Sequence, residues 1–326
     1  MKSLGPLCAM TLLAAMGLRD GLAAIHPSDA CVSVSRRVGA DLESKCFAMD
    51  FGGRERTLYI YEPAPKHPAG ALVFVLHGGG GSAAGMEWLT KRGFNRLADR
   101  DGAVIVYPDG IGKSWNDGRS DTASKSAQEQ VDDIGWFRAL PRELSSHYSI
   151  DLHRVYVTGI SNGGLMSYRI ACDAADIFAA AAPVVANLST DLAPVCKPAR
   201  PISVAIVNGT EDPIMPWDGG LVKVLWFKRG NVLSTSATLA RWVELDHCGA
   251  MQTDAIVDSV HEDGTTLAKH TSLCAGMSEV DLFEIRGGGH TWPLGEPYLG
   301  ERLVGRVSRE LDANEAIWEF FARHRG

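Results

Sequence analysis

Arg154-Val155-Tyr156-Val157-Thr158-Gly159-Ile160-Ser161-Asn162-Gly163-Gly164-Leu165-Met166 decides how the rest of the chain is read. Val155 to Thr158 is a β-branched and aromatic run, the composition of a strand. Gly159-Ile160-Ser161-Asn162-Gly163 fits G-x-S-x-G, and Leu165 to Ala171 has helical character. A strand, a tight turn and a helix in that order lift the serine above the end of a sheet. Side chains at the flanking glycines would collide with the neighbouring strand and helix, and the turn itself is strained backbone. Ser161 then stands at a helix N-terminus, whose unpaired N–H groups favour developing negative charge. An ordinary strand-to-helix turn can carry the same letters, so the weight falls on the rest of the chain.

The surroundings fit a globular α/β protein. The 326 residues are 45% hydrophobic and 22% charged, enough for a sizeable core. No linker or low-complexity tract divides them, so residues 25–326 are expected to form a single unit. Met1 to Ala24 reads as a signal peptide: Lys2 is followed by a mostly apolar stretch from Leu4 to Leu18, then by small residues at Gly21, Ala23 and Ala24. That stretch is too short to span a bilayer, and no later one is long and apolar enough. A secreted protein, extracellular or periplasmic, is expected. Beyond Cys8, the cysteines are Cys31, Cys46, Cys172, Cys196, Cys248 and Cys274. Pairing neighbours closes three short loops, though six cysteines allow fifteen pairings. No C-x-x-C occurs, so zinc, another metal or redox chemistry has little support, and no cofactor is implied. The net charge of −7 argues against nucleic acid as a partner.

Strands and glycine loops alternate along the chain. Arg54 to Tyr61 alternates like an early strand, and Ala71 to Leu76 is the apolar run of a strand buried on both faces. The latter leads into His77-Gly78-Gly79-Gly80-Gly81-Ser82, whose backbone N–H groups can approach a ligand. Gly79 is assigned as one oxyanion donor and Asn162 as the other, both through backbone N–H. No Gly-Lys-Ser/Thr follows, so a phosphate loop is a poor reading, and His77 reads as a residue that shapes the loop. Trp88 to Arg100 reads as a helix and Ala103 to Tyr107 as a strand, followed by the polar loop Gly112 to Gly118. Trp115 in that loop is a candidate substrate wall. Asp132-Asp133 opens an amphipathic helix. Later runs at Ala179–Val185, Ile202–Val207 and Val280–Ile285 read as strands, and Ser234–Leu245 and Glu310–His324 as helices. Ile256 to His270 reads as a hairpin. Asp212, just past the strand ending at Val207, is placed to orient a histidine, with Glu211 and Asp218 as competitors. His290, on a glycine-rich loop after the last strand, completes the order Ser161, Asp212, His290.

His77-Gly78-Gly79-Gly80-Gly81, Trp115-Asn116-Asp117-Gly118, Gly159 to Gly163, Gly209 to Pro213 and Gly288 to Pro293 together resemble the secreted polyhydroxybutyrate depolymerase family, with its related feruloyl and acetylxylan esterases. The similarity runs from about Phe51 to Phe321. It implies an α/β-hydrolase fold, a mostly parallel sheet flanked by helices, with Ser161 as nucleophile, Asp212 as acid and His290 as base. The reaction it implies is ester hydrolysis through an acyl-enzyme, slowing in acid as the histidine takes a proton. The chain ends shortly after His290 without a polymer-adsorbing module. Soluble oligomers, amorphous polymer, or feruloyl and acetyl esters of plant polysaccharide are therefore expected in place of crystalline polymer. Trp217, Trp226 and Trp292 are candidates to stack on a ring or line an apolar cleft. A peptidase and a non-catalytic binder on the same scaffold are the rival readings.

Overall fold

The computed structural model describes residues 24–28, 42–64, 69–120 and 123–326. The expected leader, Ala24 apart, and Cys31 lie outside them. The strands in chain order are β1 (His26–Pro27), β2 (Lys45–Phe51), β3 (Arg54–Tyr61), β4 (Gly70–Leu76), β5 (Ala103–Pro108), β6 (Ile150–Ile160) and β7 (Ala180–Val184). They continue with β8 (Ser203–Gly209), β9 (Gly220–Val224), β10 (Phe227–Val232), β11 (Gln252–Thr253), β12 (Thr266–Leu273) and β13 (Glu279–Arg286). The longer helices are α1 (Ala83–Leu89), α2 (Gly93–Asp101), α3 (Asp133–Ser145), α4 (Asn162–Asp173), α5 (Thr235–Leu245) and α6 (Ala313–Ala322). Among the described residues none is long and apolar enough to cross a membrane.

One sheet organises the chain, in the order β1-β2-β3-β5-β4-β6-β7-β8-β13-β12-β11. From β5 through β13 the pairing is parallel, and the pairs outside that block are antiparallel. This mostly parallel sheet flanked by helices is the architecture the resemblance implies. The period of two along each strand divides the core into two layers. Leu72, Phe74 and Leu76 of β4 pack with Trp136, Phe137 and Leu140 of α3 on one face. Val73 and Val75 pack with Phe94 of α2 and Ile317 of α6 on the other. Each fully buried side chain of this size contributes roughly 1.5–3 kcal/mol.

β4 lies between β5 and β6, so the chain leaves it for one neighbour and then crosses to the other. Such a switch opens a crevice at the carboxyl ends of the strands, which is where ligands bind in α/β sheets. His77 follows β4 and Ser161 follows β6 at that edge. Two differences from the sequence reading matter nearby. The helix expected from Trp88 to Arg100 is two helices, broken where Lys91 and Arg92 take positive φ of 53° and 55°. The break lets Gly93 press against Asn314, whose Nδ2 donates to Thr90 O at 3.2 Å. The β9–β10 hairpin was not foreseen, and its tip leaves Leu225, Trp226 and Phe227 exposed. Among the described residues the neighbouring pairs Cys172–Cys196 and Cys248–Cys274 form disulfides, and the third expected pair, Cys31–Cys46, involves a residue outside them.

Candidate active site

Ser161 has φ 58° and ψ −117°, a conformation few side chains adopt. The surrounding glycines make it possible. A Cβ on Gly163 would lie 2.5 Å from Leu76 O and 2.7 Å from His77 O, and one on Gly159 would lie 2.7 Å from Leu76 Cβ. Gly164 is equally confined, 2.7 Å from Ala186 Cβ. Backbone strain of this kind costs about 1–3 kcal/mol and persists only where packing enforces it. Ser161 occupies the N-cap position of α4 without using its side chain as a cap. Ser82, Asp132, Ser234 and Asp312 all spend theirs on their own helices. The Ser161 hydroxyl is thus left for other work.

Asp212 and His290 come from different strands and meet because their loops touch backbone to backbone. A Cβ on Gly209, at the end of β8, would lie 2.3 Å from Gly288 O beyond β13. Glu211 N donates to that same oxygen at 2.9 Å. Asp212 Oδ1 accepts from the amides of Ile214 and Met215, each at 2.7 Å, and Oδ2 lies 2.7 Å from His290 Nδ1. An ionised carboxylate only accepts, so Nδ1 carries the imidazole proton and Nε2 is left with its lone pair. Tyr298 Oη donates to His290 O at 2.7 Å and steadies the loop. The two competing acids are elsewhere: Glu211 pairs with Arg306 at the surface, and Asp218 is exposed.

The glycine loop after β4 is held open by His77. Gly110 N donates to His77 Nε2 at 3.0 Å, so Nδ1 carries the proton and donates to Gly78 O at 2.7 Å. Burial pushes the His77 pKa down and keeps this neutral tautomer. Gly79 and Asn162 face each other, with a Cβ on Gly79 falling 3.7 Å from Asn162 Cβ. Neither backbone amide has a hydrogen-bond partner among the described residues, whereas Gly80 N donates to Lys113 O at 2.8 Å. The Asn162 side chain is fixed by the loop after β5: Oδ1 accepts from Trp115 N at 2.8 Å, and Nδ2 donates to Asp117 Oδ2 at 2.6 Å. That loop is anchored in turn by Asp133, which accepts from Asn116 N at 2.8 Å and pairs with buried Arg56 at 2.6 Å. The expected Asp132-Asp133 pair thus divides its labour: Asp132 caps α3, and Asp133 locks the loop.

A cleft of about 380 Å³ opens beside Ser161 and His290, walled by Met86, Trp88, Leu89, Ile160, Tyr298 and Leu299. The tryptophans picked from sequence are not its walls. Trp115 is 1% exposed, with its indole N–H donating to His77 O at 2.9 Å, so it props the glycine loop from beneath. Trp292 is wholly buried against Phe94. Trp217 is half-buried on the core and lines no part of this cleft, and Trp226 sits exposed at the hairpin tip. Trp88 and Tyr298 take the places expected of them. Nothing in the sequence marked either, because Trp88 lies within a helix and Tyr298 in an irregular loop.

Residues 94–194 match the prolyl oligopeptidase family. NocK of Nocardia uniformis subsp. tsuyamanensis, a protein assigned as an esterase, is 30% identical over 300 residues, 88% of this chain and 85% of its own. The chain belongs to the esterases of the α/β-hydrolase superfamily. This esterase is also similar to feruloyl esterase B of Piromyces equi, 29% identical over 246 residues, and to a poly(3-hydroxybutyrate) depolymerase of Ralstonia pickettii, 37% identical over 152. Those matches take in 74% and 43% of the esterase but only 42% and 31% of the two relatives. A solved thermostable esterase shares the fold, with a TM-score of 0.55 at 15% identity over 87% of this chain and 64% of that one. The reaction is carboxylic ester hydrolysis.

Proposed function

We propose that Ser161, His290 and Asp212 carry out that hydrolysis through an acyl-enzyme, on short aliphatic hydroxyalkanoate esters. The observation that carries the mechanism is the 2.7 Å contact between His290 Nδ1 and Asp212 Oδ2, which turns the other ring nitrogen, Nε2, to the cleft that His290 shares with Ser161. Nε2 takes the Ser161 proton as Oγ bonds to the ester carbonyl carbon. Negative charge moves onto the carbonyl oxygen, which the amides of Gly79 and Asn162 receive, each donor contributing about 2.7–4 kcal/mol. When the intermediate collapses, the ester C–O bond breaks and His290 gives its proton to the departing alcohol. A water then repeats the sequence on the acyl-serine and releases the acid. Asp212 stays ionised and stabilises the imidazolium between steps.

The aliphatic walls Met86, Leu89, Ile160 and Leu299 support the hydroxyalkanoate reading, as does the depolymerase relative. A second reading, feruloyl or acetylxylan ester hydrolysis, is favoured by Trp88 and Tyr298, two rings that could hold a phenol, and by the feruloyl esterase relative. Residues 25–326 act as a single catalytic domain in either reading, and residues 1–24 direct export, which agrees with the disulfides.

Purified protein and Ser161→Ala are compared on a soluble 3-hydroxybutyrate oligomer, methyl ferulate and p-nitrophenyl butyrate. The expected result is turnover of the oligomer and the nitrophenyl ester that falls by roughly 10³-fold or more in the variant. Retained turnover in Ser161→Ala overturns the mechanism. Preference for methyl ferulate transfers the substrate to the second reading.

A further inference from the structure

Ser161 stands at the junction of two pockets with opposite chemistry. The apolar cleft is one arm. The other, of about 340 Å³, shares Gly79, Gly80, Ser161, Ile214 and Val224 with it. Among the described residues its remaining wall includes Lys113, Arg119, Lys125 and Arg229 and no carboxylate. That runs against the chain as a whole, which has 39 acidic and 32 basic residues.

These cations come from separate segments, the turn after β5, the short helix Lys125–Gln128 and strand β10, so helix or strand periodicity did not place them together. They also differ in how far their charge is compensated. Arg119 is paired with Asp117 at 2.7 Å, and Lys125 shares Glu129 with Arg54. Lys113 is exposed and forms no ion pair among the described residues. Its backbone is nevertheless fixed, since Lys113 O accepts from Gly80 N in the glycine loop and Lys113 N donates to Gly110 O at 3.0 Å. A positive wall opening onto the reacting serine concentrates anions there, and low-dielectric flanks such as Leu165, Met215 and Val222 strengthen the effect.

We propose that this second arm binds a carboxylate carried by the ester, so that the preferred substrates are anionic: half-esters of dicarboxylic acids, or short oligoesters with a free acid end. The inference rests on Ser161 being the nucleophile. It deepens the substrate reading, because a hydroxyalkanoate oligomer carries such a free acid and a neutral polymer surface does not.

The test measures kcat/KM for two matched pairs that differ only in charge. The p-nitrophenyl half-ester of glutaric acid against its carboxamide counterpart places the carboxylate on the acyl side. The 3-hydroxybutyrate dimer against its terminal amide places it on the alcohol side. The expected result is a preference for the acid of roughly five-fold or more in one pair, expressed mainly in KM, and shrinking in about 0.5 M salt. Whichever pair shows it identifies the side of the ester that enters the arm. Lys113→Gln should lower the ratio several-fold, and Lys113→Glu should bring it to one or below. A ratio near one in both pairs, with turnover that still requires Ser161, overturns the inference and leaves the mechanism standing. A ratio unmoved by both Lys113 variants and by Arg229→Gln also overturns it. Turnover that survives Ser161→Ala overturns the reading on which it rests.

Discussion

Gly163 shows how little freedom a single position in this site has. The glycine has no side chain, yet Leu76 O and His77 O crowd the place where one would go, at 2.5 Å and 2.7 Å. Both are main-chain atoms at the end of β4, so relief requires the strand and the helix to part. Gly163→Ala is therefore expected to lose about 1–3 kcal/mol, read from the urea midpoint. Gly79→Ala meets only Asn162 Cβ at an ordinary 3.7 Å and should hold its midpoint within experimental scatter. Equal losses in the two variants would mean that the turn relaxes more readily than its contacts imply. The need for glycine at 159 and 163 was legible in the motif, because the same collision recurs wherever a serine is raised this way. The roles of Trp115 and Trp292 were not. A polar loop made Trp115 look like a cleft residue and Trp292 was a candidate ring, but the His77 carbonyl takes the Trp115 N–H and core packing takes the Trp292 ring.

At the scale of elements, the disulfides act away from the cleft. Cys172 lies in the last turn of α4 and Cys196 in the loop beyond β7, 24 positions apart in sequence. Closing a loop of that size stabilises a fold by about 2–4 kcal/mol, largely through the unfolded chain. The Cys172→Ala/Cys196→Ala double variant should lower the unfolding free energy by that amount. Its kcat/KM at a temperature where it stays folded should be preserved, since neither residue lines the cleft or its second arm. A large loss of activity in folded protein would show that the bond holds α4, and with it Ser161, in place. Local pairing was readable from cysteine spacing in the two cases the structure describes. The break between α1 and α2 was not, because it answers to Asn314, more than two hundred residues downstream. The β9–β10 hairpin escaped for the opposite reason: its strands are short and largely exposed, and an exposed strand lacks the apolar alternation by which a buried one is recognised.

Across the whole molecule, the central strands and the order of the glycine loops were legible because burial on both faces and tight turns each leave a compositional mark. The second arm of the cleft left none, since its cations converge only after folding. The balance of buried charge is likewise a property of the folded whole. Asp246, wholly buried at the end of α5, has its pKa pushed up to about 6, chiefly by burial and against the hydrogen bonds it accepts from Ile202 N. Asp281 on β13 is raised to about 6 by burial and by neighbouring Glu279. A folded-state value above the unfolded one favours the protonated native protein. The stability these two groups supply is therefore fully present below the ordinary aspartate value and is lost as pH rises through about 6. Glu279 has the opposite sign. Burial pushes its pKa up, but the hydrogen-bonded Arg323 guanidinium and the nearby His324 ring outweigh that and hold it down to about 2, so its contribution is present above the ordinary glutamate value and fades only in strong acid. Between about pH 4 and 7 the aspartates dominate, and their share of the unfolding free energy should fall by roughly 1–3 kcal/mol each as pH rises. Asp246→Asn keeps an acceptor for Ile202 N and removes the titration. Urea midpoints taken across this range should show a shallower decline in the variant than in the parent. Parallel curves would mean that Asp246 remains ionised in the fold, held by polar contacts stronger than the burial that opposes its charge.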